Sequence, residues 1–521
     1  MGTKFLSDIP TAGKPDKINR AGGEAYSRTL EERVLCYLMC GTCENTYYAG
    51  KEQLTDEMTA EFKQMATKDP RLFSRMCVYA RNEGFMRTVP ILGWCVLSSV
   101  SPEFAKECAL LILRTPTDLK QAVIFCRKKQ ARGGLGRSLK EIFANRLLNI
   151  SEYHLLKYGG HSRGQGINLA DIVKLVHPKA GNDVQHAKIK HLLRIKYDRT
   201  LLPQVASVRA LRLVSENKEL SKEDKESKAA SLIKEFKLPW EAATSFGINV
   251  WRAVQYQMPV FALIRNLRNL LEKDVLDIER FAKSVTPESI RKAKILPFQV
   301  MTALDIAEKN SAPERVILAL RGALQASADN LEIPFEKVVV AVDDSGSMNG
   351  RPFEVASILG ATVGATKGAQ ILMVGDGVGN TFTIRKGASV IETIKKMKDC
   401  YRGGSTELSA AVNWLIEKNY SCDLFVLVTD NETWVETASG RGSRPQGVWE
   451  EYRRRINPKA KAVHVAVQGY GDFIAPHSDK SVIVVSGWND AALKAAFTLL
   501  ESDAQVAMLK KGLPETVNQE T

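Results

Sequence analysis

Five oxygen-bearing side chains that could hold a hard cation occur in three short segments of the second half of the sequence. The segments are DDSGSM at 343–348, GGST at 403–406 and VTD at 428–430. Each follows an apolar, strand-like run or opens a helix-like stretch, so we expect all three at the carboxyl edge of one sheet. Hydroxyl and carboxylate oxygens without imidazole or thiolate favour a hard cation, and the few carboxylates favour Mg²⁺. The predicted ligands are Asp343, Ser345, Ser347, Thr406 and Asp430.

This order of residues resembles the metal-ion-dependent adhesion site of von Willebrand factor A domains, in which D-x-S-x-S is followed by a later Thr and Asp. The resemblance implies that Ser345, Ser347 and Thr406 are direct ligands. Asp343 and Asp430 would bind either directly or through water. It further implies one coordination position that is open to an acidic group of a partner.

Two points about this site stay open at the level of sequence. The D-x-S-x-S segment could be a turn that only caps a helix. Asp344 and Glu407 are further acids close to the predicted ligands, and the sequence does not assign their roles.

The elements that would position these residues begin near residue 336. Short β-branched runs alternate there with amphipathic segments, a pattern that predicts a parallel sheet covered by helices on both faces. The predicted strands are 337–343, 369–375, 423–430, 460–467 and 480–486. The predicted helices are 351–367, 389–399, 407–419, 444–456 and 489–504.

The first 330 residues show helical periodicity and almost no strand-like alternation. Several helix starts place Pro directly after a residue that can accept a hydrogen bond from the first turn. These pairs are Asp69-Pro70, Ser101-Pro102, Thr115-Pro116 and Thr286-Pro287. Their irregular spacing favours stacked helical hairpins of the solenoid type without a strict repeat.

The excess of positive charge is confined to residues 1–335. The chain has a formal net charge of +14, and residues 1–335 carry 52 Lys and Arg against 37 Asp and Glu. Residues 336–521 carry 21 against 22. Clustered cations gain affinity for a phosphate backbone by releasing its counterions, so we expect a polyanionic partner for residues 1–335.

Two basic stretches are candidates for that contact. Residues 127–140 contain six cations and no acid, and five of the seven histidines fall between 154 and 191 among many Lys and Arg. No pair of these histidines has the i, i+4 spacing that would favour zinc. Phosphate and base contacts suit the composition better, although charge runs are usually solvated faces.

The sequence lacks the motifs that several other functions would require. An aspartic protease needs a second copy of Asp344-Ser345-Gly346, and nucleotide hydrolysis needs a phosphate-binding GxxxxGK[ST] loop; neither is present. Cys36, Cys40 and Cys43 have iron–sulfur-like spacing but lie in a segment with the apolar spacing of a buried helix end.

Composition predicts the compartment. No apolar run reaches the roughly 18–20 residues that span a bilayer, and the N-terminal residues lack the apolar segment of a secretory signal. An odd number of cysteines, nine, mostly within apolar stretches, favours reduced thiols. We therefore expect a cytoplasmic protein.

Several segments resemble the Ro ribonucleoprotein family, whose members combine a TROVE module with a von Willebrand A domain. They are TYYAG at 46–50, GRSLKEIF at 136–143, LADIVKLVHPK at 169–179, VWRAVQYQMPVFALIRNLRNLL at 250–271, AKILPFQVMTAL at 293–304 and TDNETW at 429–434. The resemblance implies a ring of HEAT-like helical repeats with a positively lined central hole, followed by a doubly wound, Rossmann-like α/β domain. The likeness extends over nearly the whole chain. A bacterial or phage-type member of the family is expected.

The resemblance also implies function. Ro proteins bind single-stranded 3′ ends of misfolded noncoding RNA in the hole and small Y RNAs on a basic outer surface. Bacterial members resemble adaptors that pass RNA to the exoribonuclease polynucleotide phosphorylase. Sequence-independent binding of RNA ends needs cations and stacking groups and no catalytic residue.

Candidate RNA contacts follow from the matching segments. The Y RNA candidates are Lys157, Arg163, Lys174 and His177, and Arg252, Arg265 and Arg268 could face either the hole or solvent. The remaining candidates in the basic stretches are Arg127, Lys128, Lys129, Arg132, Arg137, Lys140 and Lys179.

The sequence as a whole predicts a non-enzymatic RNA-binding protein in three parts. These are a TROVE ring at 1–335, a von Willebrand A domain with Mg²⁺ at 336–505 and a tail at 506–521. The alternative is a protein-adhesion scaffold whose metal site captures an acidic partner. A Mg²⁺-dependent nuclease is disfavoured because a Ser/Thr-rich site offers little general-base equipment.

Overall fold

The structure is a computed structural model of the 521-residue chain. It describes residues 15–20, 24–46, 49–84, 86–128, 131–158, 166–295, 297–328, 333–432, 445–470, 473–476, 479, 481–487 and 509–510. The chain forms two compact units. The first comprises Met1–Gly93, Leu296–Phe298 and Ala328–Thr521, and the second comprises Trp94–Ile295 and Gln299–Ser327. The bounds 1–335, 336–505 and 506–521 stay predictions.

The first unit begins with a minimal hairpin, β1 (Lys17–Ile18) and β2 (Glu24–Ala25), followed by α1 (Leu30–Cys40), α2 (Lys51–Lys68) and α3 (Pro70–Asn82). Helix α4 (Thr88–Val100) continues into the second unit. The expectation of buried thiols at the end of α1 is confirmed, since Cys36 and Cys40 are buried and Cys43 is half-buried.

Helix α1 packs on the α/β part of its own unit. The Cys40 thiol donates to the Ala466 carbonyl at 3.2 Å, and the Tyr37 hydroxyl donates to the Tyr470 carbonyl at 3.2 Å. Helix α1 is therefore packed against the sheet part of the unit, because its buried polar atoms find their partners beyond residue 460.

The second unit is helical, as its periodicity predicts. Helices α5–α20 are Pro102–Ile112, Pro116–Arg127, Arg137–Leu148, Glu152–Tyr158, Leu169–Val176, Asp183–Leu192, Pro203–Glu216, Lys222–Phe236, Trp240–Ala243, Ile248–Val254, Val260–Arg265, Leu267–Glu272, Ile278–Ser284, Pro287–Lys292, Pro297–Lys309 and Glu314–Ala328. Three short 3₁₀ turns in the described residues of this unit, Arg199–Leu201, Thr244–Phe246 and Gln255–Gln257, join some of them. Within the described residues, no helix has the length and apolar character needed to cross a membrane.

Three of the four predicted helix caps are confirmed. Asp69 accepts from the Leu72 amide at 2.8 Å, and Thr115 and Thr286 each form a reciprocal capping box. The prediction for Ser101 is wrong: its side chain accepts no bond from the first turn, and its hydroxyl instead donates to the carboxylate of Glu103.

The sheet of the first unit has six strands in the order β5-β4-β3-β6-β7-β8. All five predicted strands are confirmed as β3, β4, β6, β7 and β8. Strands β3–β8 are Val338–Asp343, Ala369–Val374, Val378–Ile384, Leu424–Thr429, Lys461–Ala466 and Val482–Ser486. The prediction of a purely parallel sheet is wrong at one edge, where β5 pairs antiparallel with β4. Most β5 side chains are exposed, so this strand lacks the apolar run that marks the others.

Both faces of the sheet are covered by helices, as predicted. Successive residues of β3 belong to two separate hydrophobic cores, one on each face of the sheet. Val340 packs with α21 (Arg351–Lys367) and α22 (Val390–Asp399) on one face. Val339 packs with α23 (Ser409–Glu417) and α24 (Pro445–Arg455) on the other. The helix predicted at 489–504 lies outside the described residues.

Candidate functional site

The carboxyl ends of β3 and β6 bring the first predicted ligands together. The parallel register pairs Val342 with Val428, which places Asp343 beside Thr429. The Thr429 hydroxyl donates to Asp343 Oδ2 at 2.5 Å, and the Ser345 amide donates to Asp343 Oδ1 at 3.0 Å. Both carboxylate oxygens are thus held in place by neutral donors.

The loop at 403–406 lies against this segment. The Gly346 amide donates to the Gly404 carbonyl at 2.8 Å, and the Gly403 amide donates to the Asp344 carbonyl at 3.0 Å. The hydroxyl oxygens of Ser345 and Ser347 are 3.3 Å apart. Backbone hydrogen bonds therefore hold the two loops that carry the predicted hydroxyl ligands next to each other.

The predicted metal ligands are more deeply buried than turn residues usually are. The predicted ligands are almost inaccessible, with exposed fractions of 0% for Asp343, 0% for Ser345, 5% for Ser347, 4% for Thr406 and 1% for Asp430. Asp430 Oδ1 accepts from the Glu432 amide at 3.1 Å. Its Oδ2 atom is buried and has no hydrogen-bond donor among the described residues. A buried carboxylate oxygen in that state is a natural place for a cation.

The electrostatics of Asp343 and Asp430 also favour a bound cation. Burial raises the pKa of Asp343, and the charge of Asp344 adds to the shift. Burial also raises the pKa of Asp430, and the charge of Asp343 adds to it. A divalent cation would reverse both shifts by favouring the charged forms.

The donor set fits a hard divalent cation. It combines two carboxylates with three hydroxyl groups, which suits Mg²⁺ with retained waters. The described residues contain no group of three or more His, Cys, Asp or Glu side chains placed to hold a metal. The hydroxyl groups Ser345, Ser347 and Thr406 are therefore essential to this candidate site.

The structure assigns a role to Asp344. Its fully buried carboxylate forms a bidentate ion pair with Arg402, with Nε–Oδ2 at 2.9 Å and Nη2–Oδ1 at 3.0 Å. Glycines make the space: a Cβ on Gly375 would lie 2.9 Å from Asp344 Oδ1, and one on Gly379 would lie 2.5 Å from the Arg402 guanidinium carbon. Sequence reasoning missed Arg402, although it directly precedes the GGST segment.

The other nearby acids lie at the margins of the site. Ser409 donates from its hydroxyl to Glu407 Oε1 at 3.1 Å, and the Glu407 amide donates to the Gly375 carbonyl at 2.6 Å. Glu407 thus lies beside the first turn of α23. The Asp376 carboxylate lies 3.5 Å from Arg402 Nη1 and is exposed to solvent. Because exposed ion pairs contribute little free energy, Asp376 adds little to the pairing of Asp344 with Arg402.

Two of the predicted RNA-contacting cations are engaged within the second unit. Arg132 is half-buried, and its Nη1 donates to the Ser98 carbonyl at 2.5 Å and to the Ser98 hydroxyl at 3.1 Å. Lys157 forms an ion pair with Glu241 at 2.9 Å. Burial would lower the Lys157 pKa, but the hydrogen bond and charge of Glu241 outweigh it and raise that pKa. These contacts give both side chains a role in holding helices together.

Most of the other candidates are exposed. Lys174 lies in the last turn of α9, and His177 ends that helix in the left-handed conformation with φ of 49°. Arg252 is half-buried, while Lys129 and Arg163 lie outside the described residues. The remaining exposed candidates are Arg127, Lys128, Arg137, Lys140, Lys179, Arg265 and Arg268.

Comparison with known proteins matches both parts of this description. The family model of the TROVE domain matches residues 239–319, and that of the Ro60 vWA domain matches residues 337–497. The chain is 23% identical over 513 residues to the Deinococcus radiodurans protein named RNA-binding protein RO60, which covers 91% of this chain and 93% of that relative.

A Caenorhabditis elegans protein of the same name is 22% identical over 581 residues, covering 91% of this chain and 88% of the relative. The crystal structure of the D. radiodurans Ro protein superposes with a TM-score of 0.64 at 20% identity, covering 93% of this chain and 100% of the other. This likeness shows a shared fold. The chain therefore combines a segment similar to the TROVE domain with a following segment similar to the Ro60 vWA domain.

Proposed function

We propose that this chain is a non-enzymatic RNA-binding protein whose RNA contacts lie in the helical part of the sequence. The observation that carries the proposal is the charge distribution: the excess of cations is confined to residues 1–335. Lys174, His177 and Lys179 are exposed and form no ion pair with any described residue. Phosphate groups are the partners that such cations recognise. The names of the relatives from D. radiodurans and C. elegans support this function.

At finer detail, a Y-like small RNA binds the exposed cations around α9. Single-stranded 3′ ends of misfolded noncoding RNA bind separately, in the central hole that the family resemblance implies. The protein then acts in RNA quality control as an adaptor to an exoribonuclease such as polynucleotide phosphorylase. A cytoplasmic location agrees with nine cysteines that form no disulfide bond with one another in the described residues.

Charge reversal in the full-length chain tests RNA binding. Lys174→Glu combined with His177→Ala should weaken binding of a stem-loop Y-like RNA and reduce the salt dependence of its affinity. Lys459→Glu is the matched control, because Lys459 is exposed and lies in the near-neutral α/β part. Filter binding at several salt concentrations measures both quantities. Equal affinity and equal salt slope for all three proteins would contradict the assignment of the surface around α9.

Truncation is a poorer test. Helices α1–α3 belong to the same compact unit as the sheet, so a cut at residue 335 would divide that unit. Loss of binding in such a fragment could reflect unfolding.

The metal site belongs to the same proposal. Asp343, Ser345, Ser347, Thr406 and Asp430 hold Mg²⁺, and the buried Oδ2 of Asp430 supports this assignment. When bound, the cation offers a coordination position to an acidic group of a partner.

A second candidate function follows from that open position. In it, the α/β part captures an acidic protein partner, and the helical part is a scaffold. Affinity capture with the full chain separates the two functions. Partners lost with EDTA and retained after RNase treatment favour adhesion, whereas partners lost with RNase and retained in EDTA favour RNA binding.

A further inference from the structure

The second unit contains a cavity that the sequence did not single out. Its volume is about 890 Å³, and its walls come from α8, the end of α10, the 194–199 segment, α11 and the 3₁₀ turn at 244–246. This is within the range of roughly 300–1,000 Å³ typical of small-ligand pockets. All of its lining residues belong to the second unit, so the cavity is a property of that unit alone.

The lining includes apolar and aromatic side chains. They are Tyr197 and Phe246, together with Ile195 and Leu213, whose exposed fractions are 52% and 60%. Ile195 and Leu213 line the same cavity as the two aromatic rings, and binding pockets are lined mainly by apolar and aromatic side chains of this kind. They provide a surface on which a flat, weakly polar group can lie.

The orientation of Tyr197 is held by a neighbour. Its hydroxyl shares a hydrogen bond of 3.0 Å with Nδ1 of His191, and the two rings meet at 89°. Burial lowers the pKa of His191, so the imidazole is neutral at neutral pH and does not repel the surrounding cations. A side chain anchored in this way loses less conformational entropy when a ligand stacks on it.

The rim of the cavity is strongly cationic. The only acid among its lining residues is Glu216, which pairs with Arg212 at 2.7 Å. Lys196, Arg199 and Arg209 are exposed and have no ion-pair partner among the described residues. The full set of lining cations is Arg194, Lys196, Arg199, Arg209 and Arg212.

We propose that this cavity receives an unstacked nucleotide of single-stranded RNA, with the base on the Tyr197–Phe246 wall and the adjoining phosphates at the cationic rim. An aromatic platform beside a cationic groove is the arrangement by which proteins bind single-stranded nucleic acid without sequence preference. An acidic peptide would use the cations but not the aromatic wall. The inference deepens the proposed RNA-binding function and rests on it.

The test uses the full-length chain and a single-stranded RNA of about ten nucleotides that contains 4-thiouridine. Irradiation should crosslink the RNA to the peptides that contain Tyr197 or Phe246, as identified by mass spectrometry. Tyr197→Leu should weaken binding about tenfold because it removes the platform, and Tyr197→Phe should retain most of the affinity because it keeps the ring.

A second variant does not depend on the aromatic wall. Arg209→Glu changes an exposed residue of the rim, so folding is preserved, and it should weaken binding and lower the salt slope. Its matched control is Arg385→Glu, an exposed arginine in the α/β part. Thermal unfolding of each variant checks that the fold is intact.

The outcomes separate the inference from the proposed function. RNA that binds normally but crosslinks only outside the cavity, with Arg209→Glu and Tyr197→Leu unchanged, overturns the inference and leaves the proposed function standing. No binding of this RNA and none of a Y-like stem-loop overturns both. Displacement of the RNA from the cavity by poly-glutamate, with no difference between Tyr197→Leu and Tyr197→Phe, would assign the cavity to acidic peptides instead.

Discussion

The candidate metal site and the basic surface of the helical unit organise polar groups in opposite ways. At the end of the sheet, carboxylates and hydroxyl groups are buried, and the orientation of Asp343 is set by bonds to Ser345 and Thr429. On the helical unit, Lys174 and His177 are exposed. The metal site depends on a few fixed atoms, whereas the basic surface depends on the sum of many mobile charges.

This difference predicts how each region responds to mutation. Removal of one buried charge leaves its partner without compensation in a low-dielectric interior and costs several kcal/mol of folding free energy. Removal of one exposed cation hardly changes folding but reduces the attraction for a polyanion. Stability should therefore report on the sheet edge, and RNA affinity on the helical surface.

The largest effect on stability is expected for Arg402→Ala. The substitution leaves the buried Asp344 carboxylate without its cation, and we expect a loss of about 3 kcal/mol in the free energy of unfolding. Arg385→Ala is the control, because Arg385 is exposed, and should change this free energy by less than about 0.5 kcal/mol. Chemical denaturation measures both. Equal stabilities for the two variants would show that the ion pair is unimportant.

Removal of the metal should have the next largest effect. At a Mg²⁺ concentration of 100 times the dissociation constant, binding adds about 2.7 kcal/mol to stability, and EDTA should abolish it. Asp430→Asn should lose this Mg²⁺-dependent stabilisation, while Asp376→Asn, which changes an exposed carboxylate, should keep it. Thermal shift with and without Mg²⁺ makes the comparison. A wild-type protein with no Mg²⁺-dependent shift would refute the metal assignment.

Acid should weaken the α/β part through His464. Burial lowers the pKa of this β7 side chain to about 3, and the charge of Arg28 adds to the shift. The unfolded chain therefore binds a proton at this histidine at a higher pH than the folded chain does. The contribution of neutral His464 to the free energy of unfolding is complete above pH 6.5 and falls by about 1.4 kcal/mol for each pH unit below it. His464→Gln should show a shallower loss between pH 6.5 and 5 at constant Mg²⁺. Parallel stability curves for the two proteins would contradict this prediction.

The smallest effects separate two cations of one basic stretch. Arg132→Ala should lower stability by about 1 kcal/mol, because it loses hydrogen bonds to Ser98, and should change RNA affinity little. Arg137→Glu should weaken RNA binding and should change stability little, because Arg137 is exposed. Unfolding and filter binding on both variants provide the comparison. A stronger loss of RNA affinity for Arg132→Ala than for Arg137→Glu would contradict the distinction between half-buried, hydrogen-bonded cations and exposed ones.

Much of the α/β part could be predicted because its signals are local. Uniformly buried strands such as β3 and β6 read as continuous apolar runs, and their polar ends follow directly in sequence. Strand β5 escaped detection because its exposed side chains carry no such run. Ser101 shows that a capping residue followed by Pro predicts a helix start but not the partner of the hydroxyl.

What the sequence determined by itself was the alternation of helices with five of the six strands of the sheet, the set of candidate metal ligands and the confinement of the excess positive charge to residues 1–335. Composition and periodicity encode these features directly. The tertiary structure decided which charges meet. The pairing of Asp344 with Arg402, the use of Arg132 and Lys157 within the fold, and the cavity beside Tyr197 all depend on segments brought together by packing. Periodicity specifies which face of an element is buried, but the partner of a charged side chain depends on distances that exist only after the elements have packed.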